Sequence, residues 1–143
     1  GNKHEHELRL LQRLFDSFKP RDLVVADRGF SSYVLMCLLL LRGAGSVFRL
    51  HQARAADMRK GQRLGKNDRL VTWQKPWQKP AWLPQRCWEA ILAELPVRVL
   101  RFQLSRRGFR PETITLVTTL VDARAYPAEE IARLHGRRWK IEL

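Results

Sequence analysis

Two acidic residues stand where phosphate chemistry could be done. Asp27 closes the apolar run Leu23-Val24-Val25-Ala26 and is followed by Arg28-Gly29-Phe30. A carboxylate at the C-terminal end of a buried strand projects into the crevice where open α/β sheets keep their sites. An ordinary turn or helix-capping aspartate is the equal alternative on position alone. Glu142 lies in His135-Gly136-Arg137-Arg138-Trp139-Lys140-Ile141-Glu142-Leu143. On a helix, His135, Arg138, Trp139 and Glu142 recur at three and four residues and share one side. Taken singly, Arg138 and Glu142 read as a surface ion pair worth about 0.3–0.5 kcal/mol. The functional alternative is that Glu142 binds a divalent metal while Arg138 and Lys140 hold nucleic-acid phosphates. Mg²⁺ favours a few carboxylates plus substrate phosphate oxygens, and two such ions can stabilise both the attacking and the leaving oxygen of an in-line displacement.

The elements that must position these acids follow from periodicity. Leu8, Leu11, Phe15 and Phe18 predict an amphipathic helix over residues 4–18, closed by Pro20. Leu23 to Ala26 is a short continuous apolar strand of the kind buried on both faces. Gly29 turns the chain, Ser31 or Ser32 caps a helix running to Leu41, and Gly43 and Gly45 end it before a strand from Ser46 to Leu50. Helix–strand–helix–strand with short connections predicts an α/β layer with neighbouring parallel strands. Further on, Leu70 to Trp73 suits a strand, Pro84 to Leu95 a helix with Cys87, Trp88, Ile91, Leu92 and Leu95 as its apolar stripe. Two strands around Val97–Leu100 and Ile114–Leu120 are joined by the turn-rich Arg106-Arg107-Gly108-Phe109-Arg110-Pro111. The last helix starts near Pro127, with Glu129 and Glu130 favourable at its N-terminus.

The charge balance names a class of partner. The 143 residues carry 27 Lys or Arg against 14 Asp or Glu, a net charge of +13. Residues 42–79 alone hold ten basic residues and two acids. Basic side chains that neutralise phosphates release counterions and gain affinity, so a polyanion is the expected partner. Within this stretch Trp73-Gln74-Lys75-Pro76-Trp77-Gln78-Lys79-Pro80 repeats a four-residue unit and precedes Trp82. Its prolines bar a helix interior or central strand and predict an exposed loop or edge.

Several chemistries are set aside. Cys37 and Cys87 show no ligand spacing and read as reduced, buried thiols of a cytosolic protein. The apolar run from 33 to 41 is far below the roughly 20 residues that span a bilayer, so no membrane partner is expected. His4 and His6 point to different helix faces and make no metal motif. Ser31 and Ser32 lack a histidine–acid arrangement for nucleophilic work. The polar start without methionine and the abrupt end lead us to expect a fragment.

The paired acids carry a resemblance. Asp27-Arg28-Gly29-Phe30 resembles the motif around the second catalytic aspartate of DDE transposases of the IS4 type. The chain's end resembles that family's signature of Tyr, two residues, Arg, three residues, Glu, six residues, Lys. Arg138 and Glu142 match it, His135 stands where tyrosine is usual, and the final lysine would fall beyond residue 143. The resemblance runs over almost the whole chain and implies an α/β, ribonuclease H-like catalytic core, incomplete in its first strands, with a largely β insertion. Residues 1–52 would be the core segment carrying Asp27, 53–121 the basic insertion, and 122–143 the core helix carrying Glu142. The insertion accounts for the roughly 115 positions between the acids, far more than a plain ribonuclease H-like sheet needs.

The resemblance also implies roles. Asp27 and Glu142 would be catalytic metal ligands for Mg²⁺ or Mn²⁺, two ions in the intact enzyme, and the first aspartate would lie upstream, leaving this piece inactive alone. Arg28, His135, Arg138 and Lys140 would contact DNA, Lys75 and Lys79 would follow its backbone, and Trp77 (or Trp73 or Trp82) would stack on an unpaired base. The expected function is metal-dependent cleavage and transfer of DNA strands at transposon ends, by a homodimer in the bacterial cytoplasm, associated with the nucleoid when bound. A non-catalytic basic DNA-binding module from a decayed transposase, or a nuclease of related fold, are the alternatives.

Overall fold

Short apolar runs broken by glycine and proline build a mixed sheet covered on both faces by helices. The computed structural model describes residues 23–26, 32–50, 58–105, 107–108 and 110–138, with backbone alone at 26, 32, 104 and 136–138. The predicted helix over 4–18 lies outside the described residues. In chain order the elements are β1 (Leu23–Ala26), α1 (Ser32–Leu41), β2 (Gly45–Leu50), β3 (Gln62–Gly65), β4 (Asp68–Gln74), α2 (Gln85–Ala90), β5 (Glu94–Leu104), β6 (Glu112–Thr118) and α3 (Ala128–Arg138).

One six-stranded sheet runs β1-β2-β6-β5-β4-β3. β1 and β2 are parallel, with Ala26 opposite Phe48, because α1 provides the crossover that parallel strands require. Every other pairing is antiparallel. β6, the last strand made, lies between β2 and β5. It is held at its end by the Thr118 hydroxyl, which donates to the Ser46 carbonyl at 2.8 Å.

Alternation sorts side chains to two cores. Val24, Phe48, Val97, Val99 and Val117 face α1, whose Val34, Met36 and Leu39 are almost fully buried. On the other face Val25, Val47, Leu100, Ile114 and Leu116 gather around Ile131 of α3. The architecture is therefore α/β, with helices on opposite faces of one sheet. Among the described residues no helix is long and apolar enough to cross a membrane.

Two elements depart from the sequence reading. The helix expected over Pro84 to Leu95 ends at Ala90, with Ile91 already extended at φ −68° and ψ 135°. Pro96 disfavours helix at the residue before it, and Leu95, Val97 and Val99 instead alternate onto one buried face of β5. Leu92, assigned to the apolar stripe, is exposed. Pro96 itself sits opposite Thr72, beyond the last β5–β6 pair at Arg98 and Thr118, where no neighbour on that side asks for its missing N–H. The second departure is β3, a polar Gln-Arg-Leu-Gly segment without alternation. Turn geometry makes it: Asn67 takes φ 54°, and Gly61 at φ 85° passes so close to the Leu70 carbonyl that a Cβ would lie 2.4 Å from it.

Candidate active site

The register fixes which chain ends meet. β1 and β2 finish at Ala26 and Leu50, β6 begins at Glu112, β5 finishes at Leu104, and the β3–β4 turn spans 66–67. All of these lie at one end of the sheet. Asp27, Arg28, Lys140 and Glu142 lie outside the described residues. Arg138 closes the described part of α3, with nothing described of its side chain.

α3 is aimed at the same end. β6 stops at the opposite end of the sheet, and residues 119–127 turn the chain back, with the Asp122 carboxylate accepting from the backbone N–H groups of Arg124 and Ala125. Pro127 then starts the helix, its carbonyl accepting from the N–H groups of Glu130 and Ile131. Glu129 and Glu130 lie in the first turn, where the helix dipole favours negative charge. Ile131 enters the core with Val25, Val47, Leu100, Ile114 and Leu116. One turn on, His135 is only 6% exposed. Its spacing from Ile131 puts it on the buried side of the helix, so the expected DNA contact by this ring has no open surface here. Enclosed packing took the place of solvent on that face.

A buried arginine anchors the start of α3. Arg98 is 0% exposed on β5 and grips Asp68 of β4 with both edges of its fork, Nε to Oδ1 at 2.8 Å and Nη2 to Oδ2 at 2.6 Å. Its remaining nitrogen, Nη1, donates to the carbonyls of Tyr126 and, at 3.3 Å, Leu120. One guanidinium thus ties the β3–β4 hairpin, the middle of the sheet and the entry to α3. Sequence reading missed both residues; an Asp beside Asn67 and an Arg within an apolar strand were the available signals.

Trp73 and Gln74 of the Trp-Lys-Pro segment close β4, and the loop after them is half-buried at Lys75, Pro76, Lys79 and Pro80, with Trp77 96% exposed. Trp73 and Trp82 instead pack on the α1-side core, which singles out Trp77 among the three tryptophans proposed as base platforms. Both loop lysines are engaged, Lys75 by Trp88 of α2 and Lys79 by carbonyls just after the loop. Lys75 Nζ lies 4.4 Å from the Trp88 ring centroid and donates to the Trp88 carbonyl at 2.8 Å. Lys79 Nζ donates to the carbonyls of Pro80 and Leu83 at 3.1 and 2.6 Å. Their first task is to hold the loop's shape.

Among the described residues no three His, Cys, Asp or Glu side chains gather to hold a metal ion. Both cysteines are free, Cys37 buried and Cys87 half-buried. Burial pushes the Cys37 thiol up from its usual range, and burial likewise raises the Tyr33 hydroxyl to about 12. Tyr33 donates to the Leu92 carbonyl, a structural bond on the α1 side. An open groove of about 550 Å³, lined by Leu23, Leu40, Gly45, Leu120 and Tyr126, lies where β1 begins.

Comparison with known proteins gives the family. The family model described as "Transposase DDE domain" matches residues 1–143. Transposase InsG for insertion sequence element IS4, from Escherichia coli (strain K12), is 26% identical over 143 residues, covering 100% of this chain and 30% of that protein. The chain therefore spans about a third of the curated relative's length, and no solved structure matches it. With the family model matching along its full length, the chain belongs to the DDE transposase family, in its IS4 type.

Proposed function

We propose that these residues form part of the catalytic domain of a DNA transposase, which cleaves and transfers DNA strands at transposon ends. The observation that carries this reading is the placement of α3. It starts at its anchor on Arg98 and carries Ile131 into the core beside Val25 of β1, the strand that Asp27 follows in sequence. That arrangement supports Asp27 and Glu142 as the second and third acids of a ribonuclease H-like site, with residues 53–121 as an insertion in the core formed by 1–52 and 122–143. The two carboxylates would hold Mg²⁺ or Mn²⁺, which when bound activates the attacking oxygen and steadies the leaving one.

The chain's own residues orient the DNA. Arg28, Arg138 and Lys140 hold phosphates beside the acids. Trp77, free of the core, offers a face on which an unpaired base stacks, an interaction worth about 1–3 kcal/mol per base. Lys75 and Lys79 brace the loop that presents it, and His135 orients α3 from within. The substrate is DNA in the bacterial cytoplasm, and synapsis of two ends calls for a homodimer.

The test is strand cleavage of an end-containing duplex by a chain extended to the length of the IS4 relative, in Mg²⁺ and in Mn²⁺. Asp27→Ala and Glu142→Ala are each expected to abolish cleavage while leaving duplex binding in place. Undiminished cleavage by either variant removes that residue from the site.

A further inference from the structure

The charges of the described residues are sorted along the strands. Arg63, Lys66, Arg69, Arg107 and Arg110 all lie at the end of the sheet where the β3–β4 and β5–β6 turns project. Each is exposed or half-buried, and none has an ion pair among the described residues. The only described carboxylates at this end are already neutralised, Asp68 by Arg98 and Glu112 by Arg49. Glu94, Asp122, Glu129 and Glu130 lie at the other end, with Glu89 on α2 just before β5.

A second feature points to a missing anion. Arg63 and Arg69 are direct cross-strand partners. Directly opposed like charges destabilise a strand pair, and no described acid lies between them to relieve it. An arrangement that costs the free protein stability is explained if a polyanion supplies the negative charge.

We propose that this hairpin end of the sheet docks the phosphate backbone of duplex DNA, without reading its sequence. β5 runs four residues past Leu100, the partner of Asp68, so its turn stands about 14 Å beyond the β3–β4 turn and about 10 Å to the side. The resulting diagonal of roughly 17 Å covers about five base-pair steps, well within one helical turn of B-DNA. One duplex therefore reaches both tips. This surface deepens the transposase reading, on which it rests, by adding a backbone contact set apart from the residues around Asp27 and Glu142.

The test uses the 143-residue chain and a fluorescein-labelled 20-bp DNA duplex of arbitrary sequence, with affinity followed against salt. Arg63→Gln/Lys66→Gln/Arg107→Gln is expected to reduce the slope of log K against log salt by about 2.7, at about 0.9 per phosphate contact. Its melting temperature should be equal to or above that of the wild type, since a like-charge contact is relieved. The control Arg86→Gln/Arg124→Gln, at the other end, should leave the slope unchanged. Equal loss per charge in the two variants overturns the docking surface while leaving DNA binding intact. Tighter binding of the equivalent RNA duplex overturns the assignment to DNA. Absence of salt-dependent duplex binding by the wild type overturns the surface, while the transposase reading is decided separately by the cleavage assay on the extended chain.

Discussion

Replacing Arg98 with methionine tests the anchor of α3. The substitution leaves the Asp68 carboxylate, 3% exposed, without its cation. Breaking a buried ion pair from one side costs about 3–5 kcal/mol. The carbonyls of Leu120 and Tyr126 lose a charged donor as well, adding about 1 kcal/mol each. The sum, about 5–7 kcal/mol, approaches the whole stability of an ordinary domain, about 5–15 kcal/mol. Asp68→Leu also strands a charge, about 3–5 kcal/mol, but keeps the bonds to the two carbonyls. The double variant buries neither charge, so it should lose at least about 3 kcal/mol less than the sum of the two single losses. Urea unfolding at pH 7 of the four proteins measures the cycle. Arg98→Lys, which keeps the charge and loses the fork, serves if the methionine variant does not fold. Amide exchange supplies an independent readout: residues 128–131 should exchange faster in Arg98→Met than in Asp68→Leu. Additivity within about 0.5 kcal/mol, or equal exchange in both variants, would refute the anchor.

Three further outcomes follow from the packing. Tyr33 holds its proton more tightly folded than unfolded, its hydroxyl raised from 10.0 to about 12 by burial. Its contribution is therefore complete below pH 10 and is lost as pH rises through 12; urea unfolding across that window should show the decline, and Tyr33→Phe should flatten it. Iodoacetamide at pH 8 should modify half-buried Cys87 before buried Cys37, whose thiol burial keeps protonated; mass mapping of the native protein reads the order, and reversal would contradict the α1-side core. Gly61→Ala should cost about 2–4 kcal/mol, because left-handed strain adds to a clash with the Leu70 backbone. Gly108→Ala, at the same φ of 85° with open space around it, should cost only about 1 kcal/mol; thermal melts of the two compare them.

Much of the architecture was legible because local patterns and tertiary demands agreed. The parallel β1–β2 pair followed from two apolar runs flanking a helix, and the β5–β6 hairpin from the turn chemistry around Gly108. The exposure of Trp77 followed from two prolines. What failed were places where a distant partner decides. Nothing periodic marks β3, whose pairing depends on a left-handed Asn67 and a close pass at Gly61. Leu95 reads equally well on a helical stripe or a strand face, and only the neighbouring β4 selects the strand. Arg98 was missed, since sequence does not reveal that Asp68 lies 2.6 Å from it. Of the site, the motif residues were visible at once. The polarity of the sheet's two ends needed the register.

The insertion of β6 between β2 and β5 has a consequence for synthesis. After Leu50 leaves the ribosome, the edge of β2 must wait for residues 112–118 before it is covered. At about 5–20 residues per second the delay is roughly 3–14 s, far longer than the microseconds in which a hairpin forms. Throughout it, β1, α1 and β2 present an unpaired apolar edge of the kind that templates aggregation. Yield of this protein should therefore depend on translation speed and chaperone supply more than its final stability would suggest.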